Sequence, residues 1–228
     1  TLDTCISIKN LGQKACPHLS GIGSSKGVIK EILNEYKGYG LTRVVALRGD
    51  LPSGIGGFGD FPYALDLIKF IKREQESFSI EVAAYPEVHP DAESENTDFE
   101  NFLNKVEAGA DGAITQFFFE AEDFLRFRDK CRSVGINQKI IPGILPVTNY
   151  KTLERFAGLT NVHVPSWMPK MFEGLEDDET TRRLVGANIA MEQVKVLNRE
   201  GVKNFHFYTL NRAELTYAIC HMLGIRAQ

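Results

Sequence analysis

Very little in this chain is concentrated enough to name a class by composition, and the absences exclude a good deal. Its four cysteines, Cys5, Cys16, Cys131 and Cys220, are scattered and form no C-x-x-C pair. That spacing suggests neither a thiolate zinc site nor a disulfide framework, and no metal is expected. Reduced thiols in a cytoplasmic protein fit best. Basic residues are not in excess: 26 Lys plus Arg stand against 30 Asp plus Glu, for a formal charge of -4 and a pI near 5.8. The positive footprint of phosphate-backbone binding is missing, so nucleic acid is not an expected partner. No stretch approaches the roughly 20 apolar residues of a membrane helix. Thr1-Leu2-Asp3-Thr4 has neither the basic start nor the apolar run of a signal peptide, and no membrane partner is expected. Neither G-x-S-x-G nor H-E-x-x-H occurs, which leaves a serine hydrolase or a zincin no footing. The displayed sequence also lacks an initiator Met, which points to a biological start upstream of Thr1.

What is present is an ordinary globular composition, 43% hydrophobic and 25% charged over 228 residues, enough for a packed core. No composition break or linker divides it, so residues 1–228 read as one domain. Short β-rich runs are expected at Lys14–Leu19, Arg43–Leu47, Ile80–Tyr85, Gly112–Phe118, Lys139–Leu145 and Asn204–Thr209. Between them lie stripes of helical period: Val28, Ile29, Ile32, Leu33 and Tyr36; Ala64, Leu67, Ile68 and Ile71; Phe99, Phe102, Leu103 and Val106. Several helices are expected to end at a glycine, at Gly109, Gly135 and Gly201, where a left-handed cap meets no Cβ penalty. Strands such as Val44-Val45-Ala46-Leu47 are apolar without alternation, the signature of parallel strands covered on both faces. Two architectures remain open, a doubly wound sheet and a (β/α)8 barrel. The first ten residues read as the end of a helix whose preceding strand is absent, as in a barrel lacking its first two βα units.

In either architecture chemistry belongs at the carboxyl ends of the strands. Those positions offer His18, then Arg48-Gly49-Asp50, then Tyr85-Pro86-Glu87 with His89, then Gln116, and finally Asn211-Arg212. Each could merely solvate a loop, but five strands aim polar groups at one rim. Other motifs carry less. Gly54-Ile55-Gly56-Gly57-Phe58-Gly59 matches G-x-G-x-x-G in form, yet Pro52 parts it from its strand and Phe61-Pro62 follows, so it reads as a glycine loop. Gly21-Ile22-Gly23-Ser24-Ser25-Lys26-Gly27 lacks P-loop spacing, although its amides could face an anion at the next helix. His206, between Phe205 and Phe207, reads as a satisfied interior side chain, and Phe117-Phe118-Phe119 as packing.

Five motifs together closely resemble the bacterial methylenetetrahydrofolate reductase family: Val45-Ala46-Leu47-Arg48-Gly49-Asp50-Leu51-Pro52, Ala84-Tyr85-Pro86-Glu87-Val88-His89-Pro90, Ile114-Thr115-Gln116-Phe117-Phe118-Phe119, Pro142-Gly143-Ile144-Leu145-Pro146 and Phe207-Tyr208-Thr209-Leu210-Asn211-Arg212. The resemblance runs from about residue 1 to residue 228. It implies a (β/α)8 TIM barrel, with the first two βα units missing from the displayed chain. It also implies an FAD enzyme that uses NADH or NADPH to reduce 5,10-methylenetetrahydrofolate to 5-methyltetrahydrofolate, in one-carbon metabolism and methionine biosynthesis. The flavin positions it carries over are His18, Leu47, Arg48, Gly49, Asp50, Tyr63, Ala64, Tyr85, His89, Asp98, Asn101 and Lys105. Lys105 would offer a cation to the pyrophosphate. Asp50 and Gln116 would be catalytic, and Asp50, Gln116, Phe156 and Arg212 would hold substrate. Asn104 stands where the family often has a flavin-contacting arginine, and Thr152 where it often has a glutamine. The family's general acid, a glutamate on the first strand, would lie upstream of Thr1. Folate and a nicotinamide nucleotide are then the small-molecule partners, and a homo-oligomer, dimer or tetramer, is expected. Another FAD barrel of the proline dehydrogenase type fits the Arg48 and Gln116 motifs less well. A non-catalytic flavin- or folate-binding barrel is the alternative outside enzymes.

Overall fold

The computed structural model describes residues 1–50 and 57–226. Leu51-Pro52 of the first motif and the Gly54-Ile55-Gly56 part of the glycine loop lie outside the described residues. The chain is an α/β protein of parallel strands, each with helix after it, and it forms two compact units: residues 1–84 with 99–113, and residues 85–98 with 114–228.

The first unit opens with helix α1 (Leu2–Asn10), the helix expected at the start. Strand β1 (His18–Ser20) pairs in parallel with β2 (Arg43–Leu47), and β2 with β3 (Ser79–Ala84). The expected first strand, Lys14–Leu19, is thus moved toward the carboxyl side. Lys14 is exposed and Ala15 offers only a methyl group to bury, and pairing begins at His18, beside Leu19, which enters the core at 4% exposure. His18 therefore opens β1 instead of ending it, level with Val45 in the register.

Helix α2 (Lys26–Gly38) starts at Ser25, whose Oγ accepts the Val28 amide at 3.3 Å. It buries Ile29, Leu33 and Tyr36; Val28, counted in the same stripe from the sequence, is exposed. Ile29, Leu33 and Tyr36 follow a strict i, i+4, i+7 line, and Val28 falls one residue off that face. Helix α3 (Ala64–Glu74) buries Leu67, Ile68, Phe70 and Ile71. Burying one such side chain contributes on the order of 2 kcal/mol, so this face fixes α3 on the sheet.

Helix α4 (Glu95–Glu107) leads to Gly109 at φ +107 and then β4 (Gly112–Phe117). In the second unit, helix α5 (Ala121–Ser133), strand β5 (Lys139–Ile144), helices α6 (Tyr150–Thr160), α7 (Met168–Phe172) and α8 (Glu179–Arg199), strand β6 (His206–Phe207) and helix α9 (Glu214–Met222) follow. Strand β5 pairs in parallel with β6, and Gly135 and Gly201 take the expected left-handed φ of +84 and +87. The last strand keeps two of the six residues expected for Asn204–Thr209.

Close packing in this unit depends on small residues. The Thr115 hydroxyl accepts the Gly143 amide at 2.9 Å, and a Cβ on Gly143 would stand 2.3 Å from the Thr115 carbonyl oxygen. Tyr208 donates its hydroxyl to the same carbonyl at 2.8 Å, tying the end of β6 to β4. Two apolar clusters form, one around Phe118, Phe124, Ile144 and Leu197, the other around Phe117, Leu145, Leu153 and Met168. The expected packing role of Phe117–Phe119 holds, since all three are buried. All four cysteines are free thiols.

Candidate active site

In the first unit the candidate flavin residues sit on a backbone held from beneath. The Leu47 and Arg48 carbonyls accept the Gly21 and Ile22 amides at 3.0 and 2.9 Å, and the Arg48 carbonyl also accepts the Ser20 hydroxyl at 2.9 Å. Gly49 is left-handed, φ +83, and a Cβ there would lie 1.8 Å from Ser20 Oγ. Only glycine permits that approach at that conformation. The bare, pinned backbone delivers Asp50, exposed, at the end of the segment.

The glycine-serine loop before α2 does not present its amides to an anion, as the sequence allowed. Gly23 donates to Phe58 O at 2.9 Å, Ser24 to Gly21 O at 3.0 Å, and Lys26 to the Asp60 carboxylate at 2.8 Å. The protein's own Asp60 takes the place an anion would occupy at this helix start.

Tyr63, 66% exposed, precedes α3, and its amide donates to Asp66 Oδ2 at 3.2 Å; Ala64 is the first residue of that helix. On α4, Asn101 is exposed. Lys105 donates to the Ala83 carbonyl at 2.6 Å with its ammonium 5.8 Å from the Phe102 ring centre. At β1, desolvation holds the His18 imidazole below its ordinary pKa, which favours the neutral ring.

In the second unit Tyr85, His89 and Asp98 come together. The Tyr85 and His89 rings meet edge to face with centroids 4.5 Å apart, and Asp98 Oδ2 accepts the His89 amide at 2.9 Å. The turn after α6 clamps the same segment. Asn161, at φ +55, donates its side chain to Val88 O at 3.0 Å, and the His163 amide donates to Glu87 Oε1 at 2.8 Å. Burial pushes the Glu87 carboxyl above its ordinary range, partly offset by that amide.

Phe156 and Arg212 line one cavity of about 370 Å³ with Pro146, Thr152, Tyr208 and Thr216. Its rim is strained. Leu210 and Asn211 are successive left-handed residues, φ +49 and +60, immediately before Arg212. A left-handed leucine is uncommon and costs of order 1 kcal/mol, so the surrounding structure must hold it. Gln116 does not line this cavity; it is half-buried on β4, and its Oε1 accepts the Phe117 amide at 3.1 Å. His206, expected to be a satisfied interior residue, is half-buried against Tyr208, centroids 4.8 Å apart.

Two residues of the cavity had no sequence signal. The Arg182 Nε and Thr216 Oγ1 atoms are buried without a hydrogen-bond partner. Thr181-Arg182-Arg183 reads as helix surface, and only the packed structure shows one of the two arginines turned inward. Burial drives the Tyr208 phenol, at the same wall, up to about 12. Among the described residues no group of three or more His, Cys, Asp or Glu could hold a metal ion, and no helix is long and apolar enough to cross a membrane.

Comparison with known proteins carries the rest. The model of the methylenetetrahydrofolate reductase family matches residues 3–224. The 5,10-methylenetetrahydrofolate reductases of Salmonella typhimurium and Escherichia coli are each 57% identical over 215 residues, covering 94% of this chain and 72% of theirs. A probable methylenetetrahydrofolate reductase (NADH) of Oryza sativa is 34% identical over 99% of this chain and 41% of its own length. Among solved structures, a Clostridium thermocellum protein described as binding two copies of 5-methyl-5,6,7,8-tetrahydrofolic acid has a TM-score of 0.59 at 17% identity. It covers 95% of this chain and 74% of the other, a likeness of fold. With a family model spanning nearly the whole chain and relatives above half identity, this chain belongs to the methylenetetrahydrofolate reductase family.

Proposed function

We propose that this protein reduces 5,10-methylenetetrahydrofolate to 5-methyltetrahydrofolate with FAD as its flavin and NADH or NADPH as electron donor. We further propose that residues 1–228 form one catalytic domain whose parallel strands belong to a (β/α)8 barrel. The observation that carries the reading is the cavity lined by both Phe156 and Arg212, two residues that the resemblance assigns to substrate and that lie 56 positions apart in the sequence.

The support for a dinucleotide lies in each unit by itself. Gly49 lets the chain pass close against Ser20 and Ile22, and this packing sets the course of the backbone from Leu47 to Asp50 that would meet the ring edge. Within the second unit Tyr85 and His89 form an aromatic pair, with Asp98 holding the His89 amide, and within the first unit Lys105, bonded to the Ala83 carbonyl, is the cation that the resemblance assigns to the pyrophosphate. When bound, FAD would supply hydride transfer between the nicotinamide and the folate; the protein supplies binding, orientation and charge.

Asp50 has the chemistry to stabilise the positive charge of the iminium formed when the methylene bridge of the substrate opens. Gln116 would hydrogen-bond the pterin. Phe156 would flank the substrate, and Arg212, exposed at the mouth, would meet its anionic end. The binding module without catalysis predicts a different outcome of the same assay. Purified full-length protein is expected to release FAD on denaturation and, when given a reduced nicotinamide, to form 5-methyltetrahydrofolate. Flavin-free protein that cannot be reconstituted overturns the cofactor reading, and bound flavin without turnover favours the module.

A further inference from the structure

The backbone on either side of Gln116 is gripped by two side chains from distant parts of the second unit. The Thr115 carbonyl accepts the Tyr208 hydroxyl at 2.8 Å, from a residue 93 positions further along the chain. Two residues past Gln116, the Phe118 carbonyl accepts Gln193 Nε2 at 2.7 Å, reaching across 75 positions from α8. Strand β4 ends at Phe117, so ladder support stops one residue beyond Gln116, and the two donors hold the chain where the ladder gives out. Thr115 is fully buried and Gln193 is 8% exposed, which leaves water little access to replace either bond.

The surroundings are built for these bonds. Gly143 makes room for the first: a Cβ there would stand 2.6 Å from Tyr208 Cε2 and 2.3 Å from the Thr115 carbonyl oxygen, and the Gly143 amide donates to the Thr115 hydroxyl at 2.9 Å. Burial keeps the Tyr208 phenol protonated, and therefore a donor, far above neutral pH. Between the two grips, Gln116 Oε1 accepts the Phe117 amide at 3.1 Å. A backbone N–H can only donate, so the oxygen end of the carboxamide is turned to the protein and the NH2 end is the part that can meet a ligand. The angle of that NH2 is set by the course of the backbone from Thr115 to Phe118, the stretch that Tyr208 and Gln193 hold.

We propose that Tyr208 and Gln193 are positioning residues that, through the Thr115 and Phe118 carbonyls, hold the Gln116 carboxamide at the place and angle where it meets the pterin. This rests on the reading above that gives Gln116 to the pterin. The hydroxyl and the amide that do the holding are spent on the backbone and act on the folate only through Gln116. A contact ordered before the ligand arrives gives up less freedom on binding, which is what the two grips contribute.

The test is a double-mutant cycle on the full-length, flavin-loaded protein, with Kd for 5-methyltetrahydrofolate read by titration calorimetry, which needs no turnover. Gln116→Ala alone should weaken binding about 3- to 10-fold, the worth of one hydrogen bond between neutral groups. Tyr208→Phe and Gln193→Met, which remove the donors and keep most of the bulk, should each weaken it about 2- to 5-fold when Gln116 is present, and by less than about 1.5-fold when combined with Gln116→Ala. Their losses of unfolding stability should be the same in either background. Tyr208→Phe keeps the whole ring and decides the matter if Gln193→Met does not fold. Equal weakening with and without Gln116, or an unchanged Kd in the single variants, would overturn the positioning role and leave two core hydrogen bonds. A wild type that does not bind the folate, or a Gln116→Ala chain that binds it as tightly as wild type, would instead overturn the reading of Gln116 itself, and the positioning role with it.

Discussion

The loop between β1 and α2 and the cavity lined by Phe156 treat their polar atoms in opposite ways. In the loop Gly21, Ile22, Gly23 and Ser24 give their amides to carbonyls, and Lys26 gives its amide to the Asp60 carboxylate. Beside the cavity Arg182 Nε and Thr216 Oγ1 are buried with no partner. A group already satisfied holds structure in place; a buried group left unsatisfied costs stability. The glycine-rich loop is therefore a clamp on the Leu47–Asp50 backbone, whereas the first turns of α8 and α9 leave two polar atoms without a partner.

The largest expected effect tests what the clamped backbone delivers. Asp50→Asn should slow reduction of methylenetetrahydrofolate by the reduced enzyme about 100- to 1,000-fold, because it removes a charge aimed at a developing cation. Flavin reduction by the nicotinamide should change far less. Rapid-mixing traces of the two half-reactions separate these outcomes, and equal losses in both would remove Asp50 from the role given to it.

Much of this contrast could not be read from sequence, for physical reasons that differ by residue. Period and strand runs were legible because Ile29, Leu33, Leu67, Ile68 and Ile71 are fully buried, and burial imposes a pattern. The boundaries of β1 and β6 were not, since short strands of mixed polarity around His18 and His206 lie outside any strong pattern. The substrate wall was legible only by resemblance, through Phe156 and Arg212. Arg182 and Thr216 escaped both routes: whether an arginine on a helix turns inward depends on the packing of α8 against its neighbours. The Gly21–Gly27 loop shows the converse, because the acceptor of its Lys26 amide, Asp60, is 34 residues further along the chain.

A second experiment attacks the clamp through its tightest point. Gly59 has φ +68, and a Cβ there would lie 2.5 Å from the Ser24 carbonyl oxygen and 2.7 Å from the Ser24 nitrogen, both main-chain atoms. Neither can move away without breaking the loop. Gly59→Ala should cost about 3 kcal/mol, from overpacking together with a left-handed alanine. Urea unfolding reads this directly, and the bound flavin should fall with it. A loss below about 1 kcal/mol would mean that the two loops are not held against each other, and the contrast with the cavity would lose its first half.

The smallest expected effect is the most discriminating, since it converts a satisfied site into an unsatisfied one. Asp60 supplies the carboxylate at the first turn of α2, where the helix dipole and the Lys26 amide favour negative charge. Asp60→Ala should therefore destabilise the protein by about 1 kcal/mol, the usual cost of losing a cap. It should also uncover an amide at a helix start, which is a ready place for an anion. Added sulfate, measured against chloride at matched ionic strength, should then raise the unfolding midpoint of Asp60→Ala and leave the wild type nearly unmoved, because only the variant gains a ligand that binds the folded state alone. If sulfate stabilises both proteins equally, the loop amides are not consumed by Asp60, and the anion-facing role allowed by the sequence returns.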